Sequence, residues 1–237
     1  MPLNILNGKT CDPEALLALV NDCKTKLQLL RKKHGNLFPQ NPHLHPAPFF
    51  GNPFQAVVLT VALNPSFTEF NPGRGWEEEL DAQNLTGKLL PYFERDPHIW
   101  FNQLEKALLY FGSSYEINAA HVDLFPQPTL WPRNMGNDQR RELADLIRLN
   151  AHHFQHVLKL CRSVKLVLVM DYTFRYDLRN QLSVFTTLQE FIPAAAQNNG
   201  QTFPTICFSG PNSVGEWAFK NRHSVRKHLR EADPIEF

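Results

Sequence analysis

Two short, mostly apolar runs rich in β-branched residues, 56–63 and 164–170, constrain the fold of this chain more than any other feature. Runs of that length and composition fit strands buried on both faces of a parallel sheet. Parallel strands need long crossover connections, which are usually helices. The segments between the runs supply them. Further strands are expected at 117–125 and 205–208. Helical spacing is expected from Asp12-Pro13 towards Gly35, from Asp96-Pro97 to Gly112, over 138–161, over 174–192 and over 217–230. The first two open with an acidic cap and a proline at the first helical position, and the second closes on glycine. Residues 36–54 carry five prolines and should form an ordered loop.

One helix followed by four β-α units predicts an α/β protein, a three-layer α/β/α sandwich around a central four-stranded parallel sheet. The 237 residues are expected to form one domain, 1–237, with the first helix and the proline-rich loop of 1–55 packed on it. The longest apolar runs are far short of the roughly 20 residues that cross a bilayer, and 1–9 has no secretory pattern. The expectation is a cytoplasmic monomer with no membrane partner. Cysteines at 11, 23, 161 and 207 share no ligand spacing and are expected to be reduced and structural. His152, His153 and His156 read as helix surface, and the same discount applies to His43 and His45, so neither a metal nor another cofactor is expected. Walker, Gly-x-Gly-x-x-Gly and Gly-x-Ser-x-Gly motifs are absent.

In open α/β sheets ligands sit beyond the carboxyl ends of the strands, so chemistry is sought in those loops. Asn64-Pro65-Ser66 follows the first strand, either as a simple turn or with Asn64 presenting a carboxamide to a water or substrate oxygen. Trp76, in Gly73-Arg74-Gly75-Trp76, is either a packing residue or a stacking surface. Asp123 lies in an apolar stretch, where a carboxylate must find a partner or a proton, as a backbone cap or as acceptor for a ligand amine or ring N–H. Gly210, Pro211, Asn212, Ser213 and Val214 form a small-residue loop opening the last helix, which carries Lys220, Arg222, Arg226, Lys227 and Arg230. Either the helix has an ordinary solvated face or it approaches a phosphate backbone.

In element order and loop placement, residues from about 56 to 229 resemble the uracil-DNA glycosylase superfamily, in particular its mismatch-specific and single-strand-selective branches. The resemblance implies that Asn64 orients a hydrolytic water and that Trp76, about twelve residues on, stacks on an extruded base. It implies that Asp123, with Ser66, reads that base, and that Gly210 to Val214 grips phosphates and inserts a wedge. The partner would be DNA, single- or double-stranded, with Lys220, Arg222 and Arg226 on its backbone. The chemistry would be hydrolysis of an N-glycosidic bond in DNA repair, since extruding a base is repaid by stacking and edge contacts. Family members commonly place histidine where Gly210 stands, so weaker stabilisation of the departing base follows, by about 2 to 4 kcal/mol. An ionised Asp123 only accepts, which favours an amino-bearing base over uracil, and a small Ser66 admits C5-modified pyrimidines. A catalytically inert nucleic-acid-binding module on the same fold is the alternative, and a hydrolase or binder of a free nucleobase or nucleoside is a further one.

Overall fold

The computed structural model describes residues 12–235 apart from 42, 71–72, 75, 77–78, 96, 131–133, 171–204 and 209–210. Four strands, β1 (Val58–Ala62), β2 (Ala119–Asp123), β3 (Leu166–Met170) and β4 (Thr205–Phe208), form one sheet. All pairings are parallel, in the order β2-β1-β3-β4. β2 and β3 are buried along their whole length; the apolar sequence of β3 suits this, whereas β2 carries His121 and Asp123 into the interior. The chain moves from β1 to one side for β2 and to the other for β3, which opens a crevice at the carboxyl end of β1.

Six helices among the described residues complete the α/β/α sandwich: α1 (Pro13–Lys33), α2 (Ala82–Leu89), α3 (Phe101–Phe111), α4 (Asn137–Leu149), α5 (Ala151–Leu160) and α6 (Pro211–Glu231). α3 packs along α6, whereas α1 packs on α2 and reaches α5. One continuous core runs from Leu16 of α1 to Val225 of α6. Asp12 caps α1 by accepting from the Ala15 N–H at 3.0 Å, and α3 ends on Gly112 at φ 76°, a left-handed conformation that suits glycine.

Several boundaries depart from expectation. The stretch 138–161 is two helices that meet at Asn150, whose backbone leaves the helical conformation (φ −111°, ψ 11°) and whose carboxamide adds a hydrogen bond to the Leu146 carbonyl at 2.6 Å. α3 starts at Phe101 rather than beside Pro97. α2 and a 3-10 turn at Tyr92–Glu94 fill a region the sequence pattern left blank, with Asp81 capping α2. The helix expected over 174–192 lies outside the described residues.

The proline-rich segment covers the open edge of β2. Phe50 exchanges both backbone hydrogen bonds with His121, at 2.8 and 2.9 Å, which occupies edge groups that would otherwise pair with another chain. Gly51 follows at φ 83° with Phe93 against its backbone, a close approach that a Cβ would meet at 3.0 Å.

Candidate active site

The carboxyl ends of β1, β2 and β3 open into a cleft of about 120 Å³. Asn64, Pro65 and Ser66 come from the turn after β1, Asp123 from the last position of β2 and Met170 from the end of β3. β1 and β2 are paired with Ala62 beside Asp123, and the pairing continues as the Leu124 N–H donates to the Ala62 carbonyl. That register sets Asn64 and Asp123 on the same cleft. Thr129, bridged to Ser66, adds to its polar lining together with Glu69, Tyr92, His98 and His121, while Phe50, Phe67, Trp100 and Phe101 wall it.

The orientation of Asn64 follows from its neighbours. The Thr129 hydroxyl donates to the Leu130 carbonyl at 3.0 Å and therefore acts as an acceptor towards Asn64. The Asn64 amide donates to that hydroxyl and to the Pro65 carbonyl, both at 3.1 Å. Both amide hydrogens are thus used, and Oδ1 is left as a fixed acceptor at the cleft.

Asp123 is buried at the end of a second ordered chain. Tyr115 Oη lies 2.7 Å from Thr60 Oγ1, Thr60 Oγ1 lies 2.9 Å from His121 Nδ1, and His121 Nε2 lies 3.4 Å from Asp123 Oδ1. The single Thr60 hydroxyl hydrogen faces two acceptors, His121 Nδ1 at 2.9 Å and the Ala120 carbonyl at 3.3 Å. Given to the nearer Nδ1, with Tyr115 donating to Thr60, it puts the imidazole hydrogen on Nε2 facing the carboxylate. Asp123 Oδ2 is buried with no hydrogen-bond partner. Desolvation pushes the Asp123 carboxyl above its usual range, with His121 opposing. A buried orphan acceptor of this kind is satisfied by a ligand donor or by its own proton.

A third chain involves Ser66. Its Oγ lies 2.7 Å from Thr68 Oγ1, which lies 3.1 Å from His98 Nε2, and the Trp100 N–H donates to His98 Nδ1 at 3.2 Å. Burial first, and the Arg74 charge second, hold His98 below the usual histidine value. It is therefore neutral near pH 7, which agrees with an Nδ1 that accepts.

Trp76 is elsewhere. Its indole is buried, donates to Glu69 Oε1 at 3.2 Å and packs on Phe70 and His45. It borders a neighbouring cavity with Glu69, Arg74, Lys88, Tyr92 and Arg95, and so offers no stacking face to the cleft. The flanking glycines that suggested a free indole do not report what packs over it. Phe67 is the aromatic that the sequence pattern missed. It stands three residues after Asn64, and its position in the same turn was the available signal. His98 and His121 were missed as well, since single histidines carry no readable spacing.

The expected grip loop is also revised. Pro211, Asn212, Ser213 and Val214 belong to the first turn of α6, where a proline needs no N–H partner. Val214 is fully buried in the core and cannot act as a wedge. Gly210 lies outside the described residues. Among the described residues, none from β4 or α6 lines the cleft. The basic residues of α6 are engaged locally: Lys220 pairs with Glu216 at 2.6 Å, Arg226 donates to the Tyr110 carbonyl at 2.8 Å, and Arg222 donates to the Phe219 carbonyl and lies over its ring.

His153 corrects the surface reading of the helix-α5 histidines. It is buried, 3.4 Å from Asp22 Oδ2 and 3.5 Å from Cys23 Sγ, and burial lowers its pKa to about 4. Asp22, His152 and His153 bring ligand-type atoms within 4.8 Å of one another, so a cation-type donor set exists where none was expected. Cys23 and Cys161 are buried free thiols, and burial raises Cys161 to about 12. No helix of the described residues is long and apolar enough to cross a membrane. Comparison of the chain with protein-family models and with curated proteins finds no match.

Proposed function

We propose that the cleft binds a single heterocyclic base extruded from DNA and hydrolyses its N-glycosidic bond. The observation that carries this reading is the juxtaposition of two free acceptors on register-paired strand ends: Asn64 Oδ1, fixed by Thr129 and Pro65, and the buried Asp123 Oδ2. Asn64 holds the attacking water by accepting one of its hydrogens. Asp123 accepts from an exocyclic amine or ring N–H of the base. Phe67 and the neighbouring rings supply π-faces, each stacked base contributing about 1 to 3 kcal/mol. The motif resemblance to uracil-DNA glycosylases agrees with these roles for Asn64 and Asp123, while Trp76 gives its place to the cleft aromatics.

A second reading, hydrolysis or binding of a free nucleoside, is favoured by the local engagement of Lys220, Arg222 and Arg226, which leaves α6 a weak candidate for a phosphate backbone. The test is incubation of the protein and of Asn64→Ala with oligonucleotides carrying uracil, hypoxanthine, xanthine, mismatched thymine, cytosine or C5-modified pyrimidines, and with the matching nucleosides. Abasic sites that disappear with Asn64→Ala support the DNA reading. Base release from nucleosides alone supports the second. No release from either overturns both as hydrolases.

A further inference from the structure

Breaking an N-glycosidic bond sends the bonding electron pair out with the base, so the departing ring needs a hydrogen-bond donor where its negative charge collects. The two acceptors that define the cleft cannot fill that role. A donor is found in the chain that ends at Ser66. The Trp100 N–H occupies His98 Nδ1, so the imidazole hydrogen is on Nε2 and is donated to Thr68 Oγ1. The Thr68 hydroxyl and the Thr68 N–H both face Ser66 Oγ, at 2.7 and 3.3 Å. With Thr68 donating to Ser66, every hydrogen of the chain has a protein acceptor except the last, that of the Ser66 hydroxyl. The opposite order would strand the surplus hydrogen on Thr68, which does not line the cleft, whereas Ser66 does.

We infer that Ser66 is a catalytic residue that donates to the departing base through a hydroxyl held by Thr68 and His98, which are positioning residues. The inference rests on the hydrolase reading and deepens it. In the step, the C1′–N bond breaks with its electron pair passing to the base, where the Ser66 hydroxyl hydrogen-bonds the ring atom that gathers the charge. The water held by Asn64 adds its oxygen to C1′ and releases one proton, and the base takes up one proton as it leaves. Atoms and charge balance with no other reactant. This donor occupies the turn after β1, on the side of the cleft where the resemblance placed only a steric role for Ser66.

The test is single-turnover release of the fastest-cleaved base of the oligonucleotide panel and of its ring-fluorinated analogue, a more acidic leaving group. Ser66→Ala is expected to slow the parent base about 100-fold, the loss typical of one missing oxyanion donor, and the fluorinated base clearly less. Thr68→Val is expected to slow the parent base about 10-fold with the same bias, since the hydroxyl remains but is no longer held. Thr68→Ser, which keeps the chain, is expected to stay near the wild-type rate. Binding to an uncleavable 2′-fluoro substrate is expected to change little, which separates the donor from a folding defect. Wild-type rates in Ser66→Ala, or equal losses on both bases, overturn the inference while leaving the hydrolase reading intact. No release by the wild-type protein overturns both.

Discussion

His121 Nε2 and Asp123 Oδ1 lie 3.4 Å apart, two residues along the same strand, and the contact leaves the other carboxylate oxygen buried without a partner. The cost of that oxygen falls on the folded state alone, because the unfolded chain hydrates it. The arrangement therefore ties the recognition group of the cleft to a pH dependence of stability.

Asp123 is raised above its unfolded value, so the folded protein binds the extra proton as pH rises through the unfolded carboxylate range. Stability from this group is fully present below about pH 3.9 and declines upward towards the raised folded value. Asp123→Asn should therefore melt higher than the wild-type protein near neutral pH, with the gap narrowing towards pH 4. Thermal unfolding of both proteins across that range checks it, and parallel curves would count against a charged, desolvated Asp123.

His153 works in the opposite sense. Its folded value of about 4 lies below the ordinary 6.5, so the unfolded chain takes up the proton first and the protein loses stability as pH falls from about 6.5 to about 4. The loss is on the order of 3 kcal/mol. His153→Leu should flatten this part of the denaturation profile.

Thr60 joins two buried groups that have no water to fall back on. Thr60→Val leaves the Tyr115 hydroxyl and His121 Nδ1 without their shared partner and should cost about 1 to 3 kcal/mol in denaturant unfolding. It should also loosen the proton placement on His121, which 15N shifts of the imidazole would report.

Val214 separates a core role from a wedge role. Val214→Ala should lower stability by about 2 kcal/mol, as expected for a fully buried side chain. Oligonucleotide binding of the folded variant should be unchanged, and a selective loss of binding would restore the wedge.

Phe67 and Trp76 should part company in the same way. Phe67→Ala is expected to weaken base binding by about 1 to 3 kcal/mol through lost stacking. Trp76→Ala is expected to destabilise the fold by about 3 to 5 kcal/mol, since the indole is packed on Phe70 and His45. Paired titrations and melts of the two variants check the assignment.

The α/β order was legible in the sequence because buried parallel strands leave short apolar, β-branched runs, and 56–63 and 164–170 contain β1 and β3. Caps were legible too: Asp12 and Gly112 act locally, through atoms within one turn. The break at Asn150 was hidden because its side chain chooses between solvent and the Leu146 carbonyl only once α4 is packed. Asn64 could be singled out as a polar residue at the end of an apolar run, and Asp123 as a carboxylate inside one. That they share one cleft depends on the register of β1 against β2. Donor and acceptor identities at Asn64, His121 and Ser66 depend on Thr129, Thr60, Thr68 and His98, partners brought together from distant turns and strands. Apolar periodicity and capping are properties of neighbouring residues, so the sequence alone determined the strands and the longer helices, but not α2 or the break between α4 and α5. Burial, register and the direction of each hydrogen bond are properties of residues far apart in the chain, so only the tertiary structure decided that Trp76 and Val214 are core and that Asp123 faces the cleft with one oxygen unpaired.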